Sequence, residues 1–288
     1  IICTGQTLEN VKGFMIQGLG NEIVHSGSMS IVYEAGTGVF TPGHGGETKQ
    51  LLYEELDEEI RSIFTRVRSR VLSEAPAHLR RGCHLQGNEF NVTMKPNFET
   101  GSADAKEVID DALVYMIDLL GESIADELSV DAEADEITDW TRAYYADADS
   151  EIRVVLEESG ELPTESETPP EQLESVFERV DVAYYEADAA EIGSLELNKV
   201  VGVRRALDVL GIDDPFCVVM GDSKSDLRVM QWVEEQTFGL AAAPAHSSRD
   251  VLDHVIRTDE LVYEPGQAAD ILTTIATLNR LARLESSG

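Results

Sequence analysis

The sequence predicts an α/β fold: a three-layer Rossmann-like core, in which a parallel sheet carries helices on both faces, interrupted by an inserted α+β cap domain. Apolar β-forming runs alternate with stretches of helical periodicity at both ends of the chain, and such alternation implies parallel strands joined by crossover helices. The middle of the chain loses this rhythm, reading instead as helices mixed with a hairpin. At 288 residues and 42% hydrophobic, the chain is long enough for a core plus an insertion. The expected division is a core from residues 1–47 and 193–288, with a cap from 48–192.

The first segment reads as a strand near residues 1–4, then a helix over TLENVKGFMIQGL, where Leu8, Val11, Met15 and Leu19 share one face. A strand follows in EIVHSG, then a hairpin through IVYEAGTGVF. An amphipathic helix is expected from about 48 to 73, and CHLQGNEFNVTMKP, centred on Gly87-Asn88, reads as a second hairpin. Helices near 104–120 and 169–179 flank a short strand expected in EIRVVLEE and a polar loop in ELPTESETPPE. The α/β rhythm then returns: helix 199–210, strand 215–220, helix 224–234, strand 237–243, a short helix near 247–253, strand 254–257 and a last helix from 266. Ile1 opens directly on an apolar strand, so the chain is expected to start inside a domain.

Charge excludes several partners. The 55 acidic residues against 22 basic ones give a net charge of −33. Such a chain repels phosphate backbones and anionic lipid, so neither nucleic acid nor a membrane is expected. Acidic blocks such as YEELDEE and DAEADEITD read as solvated surface, and the balance resembles adaptation to molar salt, where the screening length shrinks to about 3 Å. A halophile's cytoplasm is the expected setting, with a monomer or homodimer as the expected state. The three cysteines, Cys3, Cys83 and Cys217, are far apart and read as reduced.

In an open parallel sheet, ligands collect at the carboxyl ends of strands, beside the helix starts that follow. Three sets of polar groups fall there. Asp222 and Asp226, in FCVVMGDSKSDLRVM, stand four residues apart on one helix face behind an apolar strand. They read either as helix caps or as hard oxygen ligands for Mg²⁺, and the preceding glycine and the paired carboxylates favour the metal. Lys199, one of six lysines, opens a helix and suits a phosphoryl group or a reacting carboxylate, with a solvated helix-start lysine as the alternative. Thr4 and Gly5 offer a hydroxyl and backbone N–H groups for phosphate oxygens, or simply a turn.

A threonine-glycine pair after the first strand, the lysine opening NKVVGVRRALDVLGI, and VVMGDSKSDLRVM resemble, in that order, the second, third and fourth motifs of the haloacid dehalogenase (HAD) superfamily of phosphohydrolases. The size and place of the insertion resemble the Cof-type subgroup, which includes archaeal phosphoglycolate phosphatases, sucrose-phosphate phosphatases and, more distantly, phosphomannomutases. The resemblance covers about 140 residues in the two core segments. It implies that Thr4 hydrogen-bonds the transferring phosphoryl group, that Lys199 neutralises it, that Asp222 binds Mg²⁺ and that Asp226 holds the metal or its waters. It further implies a nucleophilic aspartate on a strand ahead of Ile1, forming an aspartyl-phosphate that water hydrolyses. The substrate class implied is a small phosphorylated metabolite, phosphoglycolate or a sugar phosphate, with a mutase-like phosphotransferase or a non-catalytic relative as alternatives.

The chain also departs from that pattern. Gln6 replaces the arginine usual after the threonine-glycine pair, Ser26-Gly27 stands for the usual Asn-Gly, and the asparagine usual after the next core strand is replaced around Pro244. In the expected cap, Arg80, Arg81, His84, Asn88, Asn91 and Lys95 cluster around the hairpin, and they read either as ordinary surface cations of a solvated hairpin or, for Arg80 and Arg81, as a grip for a carboxylate or a second phosphate. A different enzyme class is suggested by Gly221-Asp222-Ser223, which resembles the nucleophile motif of GDSL esterases, with Asp250, Asp253 and His254 at the wrong spacing for its partners. His25, His44, His246 and His254 show no metal-ligand spacing.

Overall fold

The computed structural model describes residues 1–19, 26–43, 49–88, 90–147, 150–164, 168–236 and 239–285. The chain divides into two compact units, Ile1–Gly202 and Val203–Gly288, with the boundary inside one helix. Parallel pairing occurs near both ends of the sequence, and an antiparallel sheet with its helices lies between them in chain order. This is the α/β arrangement that the alternating ends and the irregular middle predict.

In the first unit, β1 (Ile2–Cys3) pairs parallel with β2 (Ile31–Tyr33), and β3 (Gly38–Phe40) and β4 (Lys49–Leu51) continue the sheet antiparallel. Thr7 caps α1 (Leu8–Gly18), its hydroxyl accepting from the Asn10 N–H at 3.4 Å. The buried face of α1, Leu8, Val11 and Met15, packs against Met29, Ile31 and Tyr33. The expected strand in EIVHSG spans residues 22–27, of which 22–25 lie outside the described residues, and the strand bonded to β1 is β2.

The α+β block is built on α2 (Glu58–Glu74), α3 (Ala77–Gly82), α4 (Ser102–Leu128), α5 (Ala134–Tyr145), α6 (Glu151–Ser159) and α7 (Glu171–Phe177). Its sheet runs in the order β5 (Cys83–Leu85), β6 (Val92–Pro96), β8 (Ala189–Ser194), β7 (Val180–Tyr185), antiparallel throughout. One face of that sheet, with Val92, Met94, Val180, Val182, Ala190 and Ile192, is buried. α4 packs on β6 and β8, and it buries Ile109, Leu113, Met116, Ile117, Leu120 and Ile124 at helical spacing. The opposite face, with Thr93, Glu191, Asp181, Ala183 and Gly193, is polar or small.

Three expectations are corrected here. The helix expected from about 48 starts only at Glu58, because Asp57 caps it, accepting from the Ile60 N–H at 3.0 Å; residues 49–51 pair instead as β4. EIRVVLEE is helical, not a strand: Ser150 accepts from the Arg153 N–H at 3.2 Å, Gly160 closes the helix at φ +76°, and Ile152, Val155 and Leu156 form the buried face between these caps. Residues 254–257 end a helix, and the strand follows at Leu261.

In the second unit, β9 (Cys217–Met220), β10 (Gly239–Pro244) and β11 (Leu261–Tyr263) form an all-parallel sheet in the order β11-β10-β9. The helix α8 (Lys199–Leu210) precedes it, and α9 (Lys224–Gln236), α10 (Arg249–Arg257) and α11 (Ala268–Glu285) alternate with or follow its strands. Met230, Ala241, Ala243, Val251 and Val255 make the core between α9, α10 and β10.

Candidate functional site

Thr4 continues β1 past its last paired residue. Its N–H donates to the Val32 carbonyl at 3.0 Å, and its carbonyl accepts from the Ala35 N–H at 3.0 Å, which fixes the turn at the carboxyl end of the β1–β2 pair. The Thr4 hydroxyl accepts from the Gln6 N–H at 3.0 Å, and nothing lies within 4 Å of where a Gly5 side chain would begin. The backbone at Gly5 therefore lies open on its Cα side, as an anion-binding turn requires.

The turn after β2, not Ser26-Gly27, stands beside Thr4. It is Glu34-Ala35-Gly36, with φ of +46°, +55° and +111° in succession. A Cβ on Gly36 would lie 2.1 Å from the Asn198 carbonyl oxygen, and one on Gly202 would lie 2.3 Å from Val32 Cγ1. These two glycines let the first turn of α8 press onto β2 and its turn. Asn198 starts that helix by accepting from the Val200 N–H at 2.9 Å and the Val201 N–H at 3.3 Å. Lys199 is thereby held at the same end of β1–β2 as Thr4, with only 7% of its surface exposed. A buried helix-start ammonium is not the solvated lysine that the sequence leaves open.

The antiparallel β5–β6–β8–β7 sheet meets this end of the unit. The Gln86 side-chain amide donates to the Gly5 carbonyl at 3.4 Å and to Asn88 Oδ1 at 2.7 Å. Asn88 Nδ2 donates to Thr93 Oγ1 at 2.9 Å, Thr93 Oγ1 donates to Glu191 Oε2 at 2.8 Å, and Asn91 Nδ2 donates to Glu191 Oε1 at 3.4 Å. Burial raises the Glu191 carboxyl above its ordinary range; the Thr93 hydrogen bond opposes this, the Asp181 charge adds to it, and Lys95 and Lys199 pull the other way. Glu34, 1% exposed, accepts from the Phe90 N–H at 3.3 Å. Arg68 donates to the Asn88 and Asn91 carbonyls and so braces the turn between β5 and β6.

Arg80 and Arg81 lie on α3, ahead of the hairpin, and both are exposed. His84 and Lys95 are cross-strand partners, Lys95 bonding Asp188 at 3.1 Å, while Asn88 and Asn91 are buried in the turn. The six hairpin residues are therefore not one cationic surface. Glu34, Gln86, Thr93 and Glu191 escaped the sequence reading. The period-2 pattern of VDVAYYEADAAEIGS carries the signal for the β7–β8 hairpin that places Glu191.

In the second unit, Asp222 follows β9 and is exposed, and its carbonyl accepts from the Ser248 N–H at 2.9 Å. Asp226 Oδ2 accepts from the Asp222 N–H at 3.3 Å, the Ser223 N–H at 3.1 Å and the Ser223 hydroxyl at 2.8 Å. A Cβ on Gly221 would lie 2.5 Å from Asp226 Cβ, so only glycine lets this carboxylate tuck under the strand end. Asp226 thus acts as the cap the sequence allows, through Oδ2, while Asp222 presents its carboxylate to solvent. Two hard carboxylates at one helix start suit Mg²⁺, which takes one or two carboxylates and completes its octahedron with phosphate oxygens and water. Among the described residues, no group of three or more His, Cys, Asp or Glu side chains comes together as a metal cage. The Ser223 hydroxyl bonds Asp226 and Ser225, and His254 bonds Glu234 at 3.1 Å, so the esterase arrangement does not form. His25 and His44 lie outside the described residues.

No family model matches the chain, and no curated protein matches it. Among solved structures, it is similar to the sucrose-phosphatase of Synechocystis sp. PCC6803 in complex with sucrose and phosphate, at 11% identity and a TM-score of 0.46, covering 96% of this chain and 82% of that one. It is similar to a Thermoplasma acidophilum protein at 11% identity and a TM-score of 0.44, covering 92% and 76%. A haloacid dehalogenase-like hydrolase from B. subtilis matches at 13% identity and a TM-score of 0.40, covering 90% and 80%. At such scores these likenesses carry no argument, and the reading of the site rests on its own residues.

Proposed function

We propose that the chain binds the phosphoryl group of a small phosphorylated metabolite and serves Mg²⁺-dependent hydrolysis of that phosphomonoester. One observation carries the reading: Gly36 and Gly202 let α8 seat a buried lysine at the same strand end as an open threonine-glycine turn. A compact ammonium held at a helix start beside an open turn suits the charge of a phosphoryl group. The Thr4 hydroxyl and the Gly5 backbone would take phosphoryl oxygens, and Lys199 would offset their charge. Asp222 and Asp226 would hold Mg²⁺, which supplies Lewis-acid charge when bound.

Calorimetric titration of inorganic phosphate into the protein, in molar KCl with Mg²⁺, tests the binding half. Binding is expected to weaken in EDTA and to fall by about tenfold to a hundredfold in Lys199→Met, the range set by charge-assisted hydrogen bonds. Turnover of p-nitrophenyl phosphate, with and without EDTA, tests the chemical half. Phosphate binding that ignores both Lys199→Met and Asp222→Ala would overturn the reading.

A further inference from the structure

The carbonyls of Thr4, Gly5 and Gln6 each have a partner, and that of Gly5 is a side chain from a distant strand end. The Thr4 carbonyl accepts from the Ala35 N–H and the Gln6 carbonyl from the Glu34 N–H, both at 3.0 Å. The Gly5 carbonyl accepts from the Gln86 side-chain amide at 3.4 Å, just past β5. The Gly5–Gln6 peptide is thereby held at both ends, because its N–H donates to the Thr4 hydroxyl oxygen at 3.0 Å. A hydroxyl whose oxygen accepts that N–H turns its own proton away from the peptide, toward an anion entering the turn. What fixes this peptide therefore fixes the aim of the Thr4 hydroxyl.

The direction in which Gln86 presents its amide is set by a chain of donors and acceptors. Glu191 Oε2 takes the single hydroxyl hydrogen of Thr93 at 2.8 Å, so Thr93 Oγ1 meets Asn88 as an acceptor and receives Nδ2 at 2.9 Å. Asn88 must then turn Oδ1 toward Gln86, which donates Nε2 to it at 2.7 Å. Gln86 Nε2 stands between two acceptors, Asn88 Oδ1 and the Gly5 carbonyl, and carries one hydrogen for each. Reversing any member of the chain would face the Gln86 carbonyl with the Gly5 carbonyl. The chain has little room to reverse: Asn88, Asn91 and Thr93 are buried, Asn91 Nδ2 donates to Glu191 Oε1 at 3.4 Å, and a Cβ on Gly193 would lie 3.5 Å from Asn91 Oδ1. We infer that Gln86 is a positioning residue for phosphoryl binding: Glu191, Thr93 and Asn88 orient its amide, the amide holds the Gly5–Gln6 peptide, and the peptide aims the Thr4 hydroxyl. The inference rests on the phosphoryl-binding reading and deepens it. Its rivals are a Gln86 that touches the ligand itself and a Gln86 that merely ties the hairpin turn to Gly5.

Gln86→Met keeps roughly the length of the side chain and removes the donor. Two measurements in molar KCl decide: calorimetric titration of inorganic phosphate in the presence of Mg²⁺, and the backbone NMR resonances of Gly5 and Gln6 in the absence of phosphate. Phosphate affinity is expected to fall by about twofold to tenfold, the range of one neutral hydrogen bond. The Gly5 carbonyl and Gln6 amide resonances should move before any phosphate is added, which contact with the ligand alone would not produce. Thr93→Val removes the acceptor that orients Asn88 and should weaken phosphate binding too, while the double variant should lose little more than Gln86→Met by itself. Gln86→Met, at a half-buried position, carries the test where Thr93→Val does not fold. Weakened binding with both resonances unmoved assigns Gln86 to the ligand, and moved resonances with unchanged binding make it a tie; either overturns the inference while leaving phosphate binding intact. Additive losses in the double variant overturn the chain from Glu191. Absence of inorganic phosphate binding by the wild type removes the phosphoryl reading itself, and this inference with it.

Discussion

Asp226 carries a cap role and a proposed metal role, and a single substitution can separate them. Its Oδ2 accepts from two backbone N–H groups and the Ser223 hydroxyl, which makes it a helix cap, while its charge is what a divalent ion requires. Asp226→Asn keeps a carbonyl oxygen for the N–H groups and removes the charge. Stability should change by less than about 1 kcal/mol, since asparagine caps about as well as aspartate. The affinity for Mg²⁺, measured by calorimetry in the presence of inorganic phosphate, should fall about tenfold or more, the usual cost of disturbing groups that support a metal. An unchanged Mg²⁺ affinity would leave Asp226 a cap alone. Gly36 offers the matching test in the first unit. A methyl group there would lie 2.1 Å from a backbone oxygen at φ +111°, and neither can yield cheaply. Gly36→Ala should destabilise by about 3 kcal/mol or more, read as a lowered urea midpoint, and should weaken phosphate binding because Lys199 sits on the displaced helix.

Caps decide where several elements begin, and one of them also sets a pH response. Asp57 accepts the Ile60 N–H and bonds Arg179, and these interactions hold its carboxyl below the ordinary range, led by the backbone hydrogen bond. A carboxyl depressed in the folded state contributes stability above its unfolded value, near pH 3.9, and loses it as pH falls through the lower folded value. Asp57→Asn should therefore lower stability near neutrality and flatten the acid limb of the curve, so that variant and wild type converge below about pH 4, as followed by circular dichroism. The same residue shows why boundaries were hard to read. LLYEELDEEI has helical periodicity throughout, yet the cap at Asp57 and the pairing of residues 49–51 with β3 divide it. EIRVVLEE looks like a strand because Val154 and Val155 are β-branched, and the Ser150 and Gly160 caps overrule that preference. The glycine before Asp222, the helix at Lys199 and the parallel ends were legible because their signals are local. Glu191 was not, because its partners stand about a hundred residues away in Asn91 and Thr93.

Across the whole molecule, scarce cations are shared among many acids. Arg179 reaches Asp57, Glu59 and Glu196; Arg70 reaches Glu74 and Glu122; Lys106 reaches Asp110 and Glu158; Arg142 reaches Asp118 and Glu161. With a net charge of −33, even this sharing leaves most carboxylates uncompensated. Salt then acts in opposite directions. It screens the ion pairs, which are partly exposed and worth only about 0–1 kcal/mol each, and it screens the repulsion among the remaining acids, which acts between every pair of them. The repulsion is the larger sum, so stability should rise with salt. The screening length falls from about 10 Å at 0.1 M to about 3 Å at 1 M, so most of the gain should come within that range. Urea midpoints measured in rising KCl should climb steeply up to about 1 M and then flatten, the behaviour that screening alone produces. A continued rise in molar sulfate beyond the plateau in chloride would report strengthened apolar burial added to screening. A midpoint that stays level or falls between 0.1 M and 1 M KCl would mean that the ion pairs, not the repulsion, dominate this acidic surface.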